Sequence, residues 1–239
     1  MQVDTSRSNE ADLVLEPGEE LHYAGKFLRG RYFGLRALPP CPLGSPLARI
    51  WHGCYWLNSC RAGEAPRSVR LTGPTVIGRF QAVRLEAGQR AFINASLLAA
   101  FSFGPGGNLR TALRQLVSPT MWSLGHPLPM LASGPGTVLV YGEGLCAVEV
   151  VAGGEYIPNQ VAAFDAQTAF TTRALSPDSG VLSHAANAIG RESRWVFSEA
   201  TRVFLVPVNR PEAHITRLFK HLVIHGAVLI LFLWLFHRS

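Results

Sequence analysis

Hydrophobic and polar positions alternate in short runs along most of the chain. Leu13 and Leu15, Val83 and Leu85, and Val148 and Val150 each open a stretch with the period-two spacing of a half-buried strand. Each stretch continues with a small residue or proline followed by glycine: Pro17-Gly18, Ala87-Gly88 and Ala152-Gly153. A polar residue and a second apolar run come next. The segments 13–28, 83–98 and 148–163 are therefore related, with their glycines at near-equal spacing. Glycine after a strand marks a tight turn that needs positive φ, so each segment reads as a hairpin.

A second echo precedes two of the three segments, Gly73-Pro74-Thr75-Val76 and Gly134-Pro135-Gly136-Thr137-Val138. Arg194–Phe197 and Arg202–Val206 add two more strand-like runs near the end of this region. The predicted fold is mainly β, a pseudo-threefold barrel or prism of short antiparallel strands spanning 13–208. Two stretches interrupt it. Residues 36–67 are rich in Pro, Gly and Arg around Trp51, Tyr55 and Trp56, and read as an insertion. Residues 108–117 place apolar side chains at 109, 112, 113 and 116, with Asn108 as a cap and Pro119 as a stop, which predicts one short helix.

The end of the chain departs from this pattern. Leu222–Phe236 is apolar on every face, with His225 the only ionisable residue. Extended back to Leu218 it spans about 28 Å as a helix, close to the ~30 Å of a hydrocarbon core. A transmembrane helix is expected over 218–236. Its lipid-facing residues would be Leu222, Val223, Ile224, Leu229, Ile230, Leu231, Phe232, Leu233, Trp234, Leu235 and Phe236. Arg210, Arg217 and Lys220 would sit at the headgroups, within or just after a basic linker at 209–217. The basic excess lies before the run, which predicts a cytoplasmic N-terminal domain on a tail anchor. Residues 1–12 are polar and acidic; they read as a flexible lead-in rather than a signal or transit peptide. A bacterial inner membrane is the expected host.

Composition narrows the chemistry. Only 16% of the 239 residues are charged, 48% are hydrophobic, and the formal net charge is +6. With four aspartates in the chain, a site of paired aspartates is not expected. Gly142-Glu143-Gly144-Leu145-Cys146-Ala147 imitates a dinucleotide fingerprint. The β-branched Val148–Val151 that follows predicts a strand where that mechanism needs a helix. Gly104–Gly107 lacks the Lys-Ser/Thr of a phosphate loop, and no G-x-S-x-G or S-x-x-K nucleophile motif occurs. His126 and His184 have no nucleophile beside them in sequence. Cys41, Cys54, Cys60 and Cys146 are expected as free thiols; Cys54-x5-Cys60 near His52 has no metal-knuckle spacing. The sequence thus predicts no catalytic residues, no cofactor and no metal.

The run Gly134–Arg173, ending in Val161-Ala162-Ala163-Phe164-Asp165, resembles the altered-inheritance-of-mitochondria-twenty-four family; a weaker likeness extends from about 13 to 206. The resemblance implies a fold like that of the tryptophan RNA-binding attenuation protein. It also implies a connection with membrane organisation and complex assembly, and no catalytic site. The 36–67 segment, Glu199-Ala200-Thr201 in place of glycines, and the C-terminal run depart from the family pattern. Together with the apolar tail, this points to a non-enzymatic accessory or scaffolding subunit of a larger membrane complex, respiratory or photosynthetic. Its partners would be membrane lipids and the subunits of that complex, with Trp51, Tyr55, Trp56, Arg31, Tyr32 and Phe33 as contacts. The alternative is a membrane-tethered β module that self-assembles or binds a ligand or RNA. Scattered arginines without a basic stripe favour lipid headgroups over nucleic acid.

Overall fold

A computed structural model describes residues 1–7, 9–27, 57–111, 130–156, 160–174 and 193–207. Within them the strands are, in chain order, β1 Gln2–Asp4, β2 Glu10–Leu15, β3 Glu20–Ala24, β4 Leu57–Arg61, β5 Arg67–Thr72 and β6 Gly78–Leu85. There follow β7 Arg90–Ile93, β8 Leu98–Phe103, β9 Asn108–Thr111, β10 Met130–Ser133, β11 Gly136–Glu143 and β12 Cys146–Val150. The last are β13 Glu155–Tyr156, β14 Val161–Asp165, β15 Phe170–Ala174, β16 Ser193–Phe197 and β17 Thr201–Leu205. Single turns of 3-10 helix lie at Gly25–Phe27 and Ala95–Leu97.

The strands form four antiparallel sheets, ordered β1-β2-β5, β4-β3-β8-β11-β6, β12-β17-β14-β7-β10-β9 and β13-β16-β15. The described strands do not close into a barrel. The sheets are stacked, and a separate apolar cluster fills each space between successive sheets. Ala11, Leu13 and Leu15 of β2 face Leu139 and Tyr141 of β11 in the first cluster. Val138 and Val140, on the opposite face of the same strand, pack with Ala163 and Phe204 in the second. Phe92, Phe164 and Val203 turn the other way, onto Trp195 and Phe197, in the third. The two central sheets are thus covered on both faces. This explains why β11 is a continuous apolar run, whereas β2 alternates.

The three related segments are present, and their glycines take the expected conformation: φ is +80° at Gly18, +84° at Gly88 and +83° at Gly153. They are not hairpins. β2 and β3 belong to different sheets, as do β6 and β7, and β12 and β13. Each turn hands the chain from one sheet to the next, and the first strand pairs with the sixth of its own set instead. That order recurs in full. β6 pairs with β11 and β12 with β17; β8 joins β11 and β14 joins β17. β10 lies between β7 and β9, and β16 between β13 and β15. In the leading set β2·β5 and β3·β4 match the outer positions; residues 28–56, between β3 and β4, lie outside the described residues.

Three further expectations are corrected. The helix expected from Asn108 begins as strand β9, because pairing with β10 seats Leu109 in the second cluster with no exposure. Tertiary burial outweighs the local helical spacing there; residues 112–117 lie outside the described residues. The flexible lead-in at 1–12 instead supplies β1 and the start of β2. Val3 pairs with Leu13, and the Met1 amino group meets Glu19 Oε1 at 2.6 Å. The insertion expected at 36–67 ends inside the fold: β4 pairs with β3 and buries Leu57 and Cys60.

Candidate functional site

Strand register divides the molecule into two rims. β11 runs from Gly136, opposite Leu85 and Phe103, to Glu143, opposite Gly78. Residues 85, 103 and 136 therefore share one end, the lower rim, and 78, 98 and 143 the other, the upper rim. The lower rim consists of short connections, at 17–18, 62–66, 87–88, 105–106, 134–135, 152–153, 166–167 and 198–200. At the upper rim the described chain leaves after Phe27 and resumes at Leu57, opposite Ala24. It leaves after Thr111 and resumes opposite it at Met130, and leaves after Ala174 to resume opposite it at Ser193. Pro207 follows Val206, whose N–H donates to Gln160 O at 2.8 Å on this same rim. Every long segment beyond the described residues, including the one that carries the apolar tail, therefore adjoins the upper rim.

On the upper rim the turn 73–77 joins β5 to β6. The Tyr141 hydroxyl, on β11, organises it. That oxygen accepts from Thr75 N–H at 3.2 Å, lies 3.0 Å from Thr75 Oγ1, and is placed to donate to Thr75 O at 3.1 Å. Gly78 N–H closes the turn on Thr75 O at 3.2 Å, and Gly144 N–H donates to Ile77 O at 3.1 Å. The glycines flanking the turn are required for space rather than for φ: a Cβ at Gly73 or Gly78 would run into the Tyr141 ring. That ring is buried against Phe27 and Phe80, with centroids 5.0 and 4.8 Å away. With its backbone held in this way, the turn sends Val76 and Ile77 outward, 81% and 63% exposed. Beside it, Pro207 packs over Gly144, where an added Cβ would lie 3.0 Å from Pro207 Cγ.

The described interior offers structural roles for its reactive groups. Cys60 is buried at the base of the first cluster, and burial pushes its thiol above the ordinary range. Cys146, at the start of β12, is half-buried. The two described cysteines are both free thiols. The Thr168 and Thr201 hydroxyls bond to each other at 2.9 Å in the interior. His22 stacks on Phe101 with centroids 5.0 Å apart. Among the described residues no group of His, Cys, Asp and Glu could hold a metal ion. The glycine-rich stretch 142–147 is a strand–turn–strand, β11 into β12, as its β-branched sequel predicts.

The proposed anchor, Leu222–Phe236, lies outside the described residues, as do Arg210, Arg217 and Lys220. So do the contact candidates Trp51, Tyr55, Trp56, Arg31, Tyr32 and Phe33, and Cys41, Cys54, His52, His126 and His184. Among the described residues no helix is long and apolar enough to cross a membrane. Sequence reading missed Tyr141 and the pair Val76–Ile77. The signal available was two branched apolar residues inside a glycine-proline turn, where turn chemistry favours Asn, Asp or Gly.

No family model and no curated protein matches the chain. Seven chains of solved structures do. One, a Streptococcus pyogenes protein of known crystal structure, is similar with a TM-score of 0.58 at 12% identity. The match covers 94% of this chain and 98% of that one. At that identity the likeness speaks for the fold alone.

Proposed function

We propose that the chain is a non-catalytic, membrane-anchored accessory or scaffolding subunit, tethered through 218–236 and docked on a larger membrane protein complex. The observation that supports this reading is the shared origin of the long segments. The apolar tail and the aromatic, arginine-rich stretch at 28–56 both adjoin the upper rim, so a tether there holds the candidate contact residues close to the bilayer. A body of stacked sheets with Cys60 buried and the Thr168 and Thr201 hydroxyls bonded to each other suits a rigid platform.

The recurring six-strand order supports a finer reading of the fold as a pseudo-threefold prism. With the resemblance carried by 134–173, it supports membership of the altered-inheritance-of-mitochondria-twenty-four family. The host on this reading is a bacterial inner membrane, with the β domain cytoplasmic and a respiratory or photosynthetic complex as partner.

The test is membrane extraction followed by a gentle-detergent pull-down of the full chain from its native membrane. The proposal expects carbonate-resistant membrane association and stoichiometric co-purification of integral subunits. Release into the soluble fraction by carbonate would refute the anchor. Recovery from detergent as a lone chain, monomeric or self-associated, would refute the accessory role.

A further inference from the structure

The Val76–Ile77 turn has features that a simple connection between β5 and β6 does not need. Its backbone is fixed by the three contacts of the Tyr141 hydroxyl and by Gly144 N–H on Ile77 O. Two glycines leave room for the tyrosine ring. All of this presents two branched apolar side chains to solvent, and Arg79 is exposed two residues further on. Among the described residues one other large hydrophobic is comparably exposed, Val151, alone on a lower-rim turn. An isolated exposed apolar residue is ordinary; a rigidly held adjacent pair is an anchor of the kind that seats in a partner.

Charge identifies the partner. The segments that adjoin the upper rim on the same side of the anchor, 28–56, 112–129, 157–159, 175–192 and 208–236, hold nine Lys and Arg against three Asp and Glu. The described body holds twelve against thirteen, and Arg238 lies beyond the anchor. The whole positive excess of the chain thus belongs to sequence rooted at the rim where Val76 and Ile77 project. Basic sequence rooted at the rim that carries an exposed apolar tip matches an anionic lipid surface, with headgroups for the charges and the acyl boundary for the tip. The described chain ends at Pro207, packed over Gly144, whose N–H holds Ile77 O. The tail therefore departs beside the tip. The eleven residues to Leu218 span at most about 40 Å fully extended.

We infer that the upper rim is a second, peripheral membrane contact, in which Val76 and Ile77 insert at the headgroup–acyl boundary of an anionic bilayer. This rests on the anchor reading above and adds an orientation to it: the strands stand on the membrane by their upper ends, with the glycine turns of the lower rim facing away from it.

The test uses the full chain reconstituted into vesicles of phosphatidylglycerol and phosphatidylethanolamine. An environment-sensitive fluorophore is attached at Ile77→Cys or, as control, Val151→Cys, with Cys41, Cys54 and Cys146 replaced by serine. The expected result is a blue-shifted probe at 77, quenched by headgroup-proximal nitroxide lipids roughly twofold more than the probe at 151. Replacing phosphatidylglycerol by phosphatidylcholine should reduce that difference while the chain stays carbonate-resistant. If the chain is membrane-integrated but the probe at 77 remains as wet as that at 151, the rim contact is overturned and the anchor stands. A probe at 77 that is dry yet not quenched by lipid would mean a second copy of the chain covers the tip, which also overturns it. A chain that carbonate strips from the vesicles removes the anchor, and the inference falls with it.

Discussion

Two sets of glycines, one on each rim, serve opposite purposes. On the lower rim Gly18, Gly88 and Gly153 sit at φ between +80° and +84° with no atom within 4 Å of an added Cβ. They are there for backbone conformation, and space is free. On the upper rim Gly73 and Gly78 have ordinary φ, and the Tyr141 ring occupies the position of their missing side chains. They are there for room, and conformation is free. These lower-rim glycines answer to a local conformational need, even where the turn also docks on a distant strand, as Gly18 N–H does on Ala62 O and Gly153 N–H on Phe197 O. The upper-rim turn is a tertiary one, shaped by a side chain from β11 more than sixty residues away in sequence.

The comparison breaks most visibly at a lower-rim glycine that is not of the conformational kind. Gly134 has ordinary φ, and a Cβ there would meet the backbone at Glu86 and Leu85, which cannot rotate aside. Gly134→Ala should cost about 2–3 kcal/mol by overpacking, read as a lower urea midpoint for the full chain in mild detergent. A loss under about 0.5 kcal/mol would mean that the β10–β11 turn yields, as a surface site does.

Next in size is the upper-rim lock. Tyr141→Phe keeps the ring against Phe27 and Phe80 but removes the oxygen that serves Thr75. The expected loss is about 1–2 kcal/mol, since Thr75 is left with unpaired groups in a half-buried turn. Amide exchange at Thr75 should accelerate with it. Unchanged protection at Thr75 would show that the turn is held by Gly78 and Gly144 alone.

Gly88→Ala sharpens the contrast from the other side. No contact is created, so the cost is the left-handed backbone alone, about 1 kcal/mol. The alanine variant of Gly78, where φ is ordinary, should lose more than this by displacing the Tyr141 ring. Equal losses at the two sites would erase the distinction between rims.

How much of this the sequence discloses follows the same division. The lower-rim turns are legible because their cause is local: alternation up to a small-residue-glycine step fixes both the strand and the sign of φ. Legibility stops at pairing. A hairpin and a turn that crosses between sheets share that local signature, and the long-range strand pairings of the stacked sheets distinguish them. Leu109 fits a helical spacing and a strand equally well, and its burial beside β10 settles the matter. The Val76–Ile77 tip was the least legible feature, since neither residue reveals that Tyr141, far along the chain, holds the turn that exposes them.

The smallest stability effect belongs to that tip, and there the comparison bears on function. Val76→Ser with Ile77→Ser removes apolar surface that is already in water, so the fold should change by no more than about 0.5 kcal/mol. Neither side chain supplies a bond that organises the turn; the Tyr141 and Gly144 contacts on it are made to Thr75 and to backbone. A residue pair that leaves stability untouched yet is held in place by a buried tyrosine is conspicuous. The lock itself stabilises the turn, but stability gives no reason for the locked turn to carry two branched apolar side chains outward; a surface that must meet something does. The double variant, compared with the parent in urea and in anionic vesicles, separates the two demands. An unchanged midpoint with the rim lifted from the lipid is the expected outcome. A fall in the midpoint of more than about 1 kcal/mol would place the tip within the fold's own packing and dissolve the distinction between the rims.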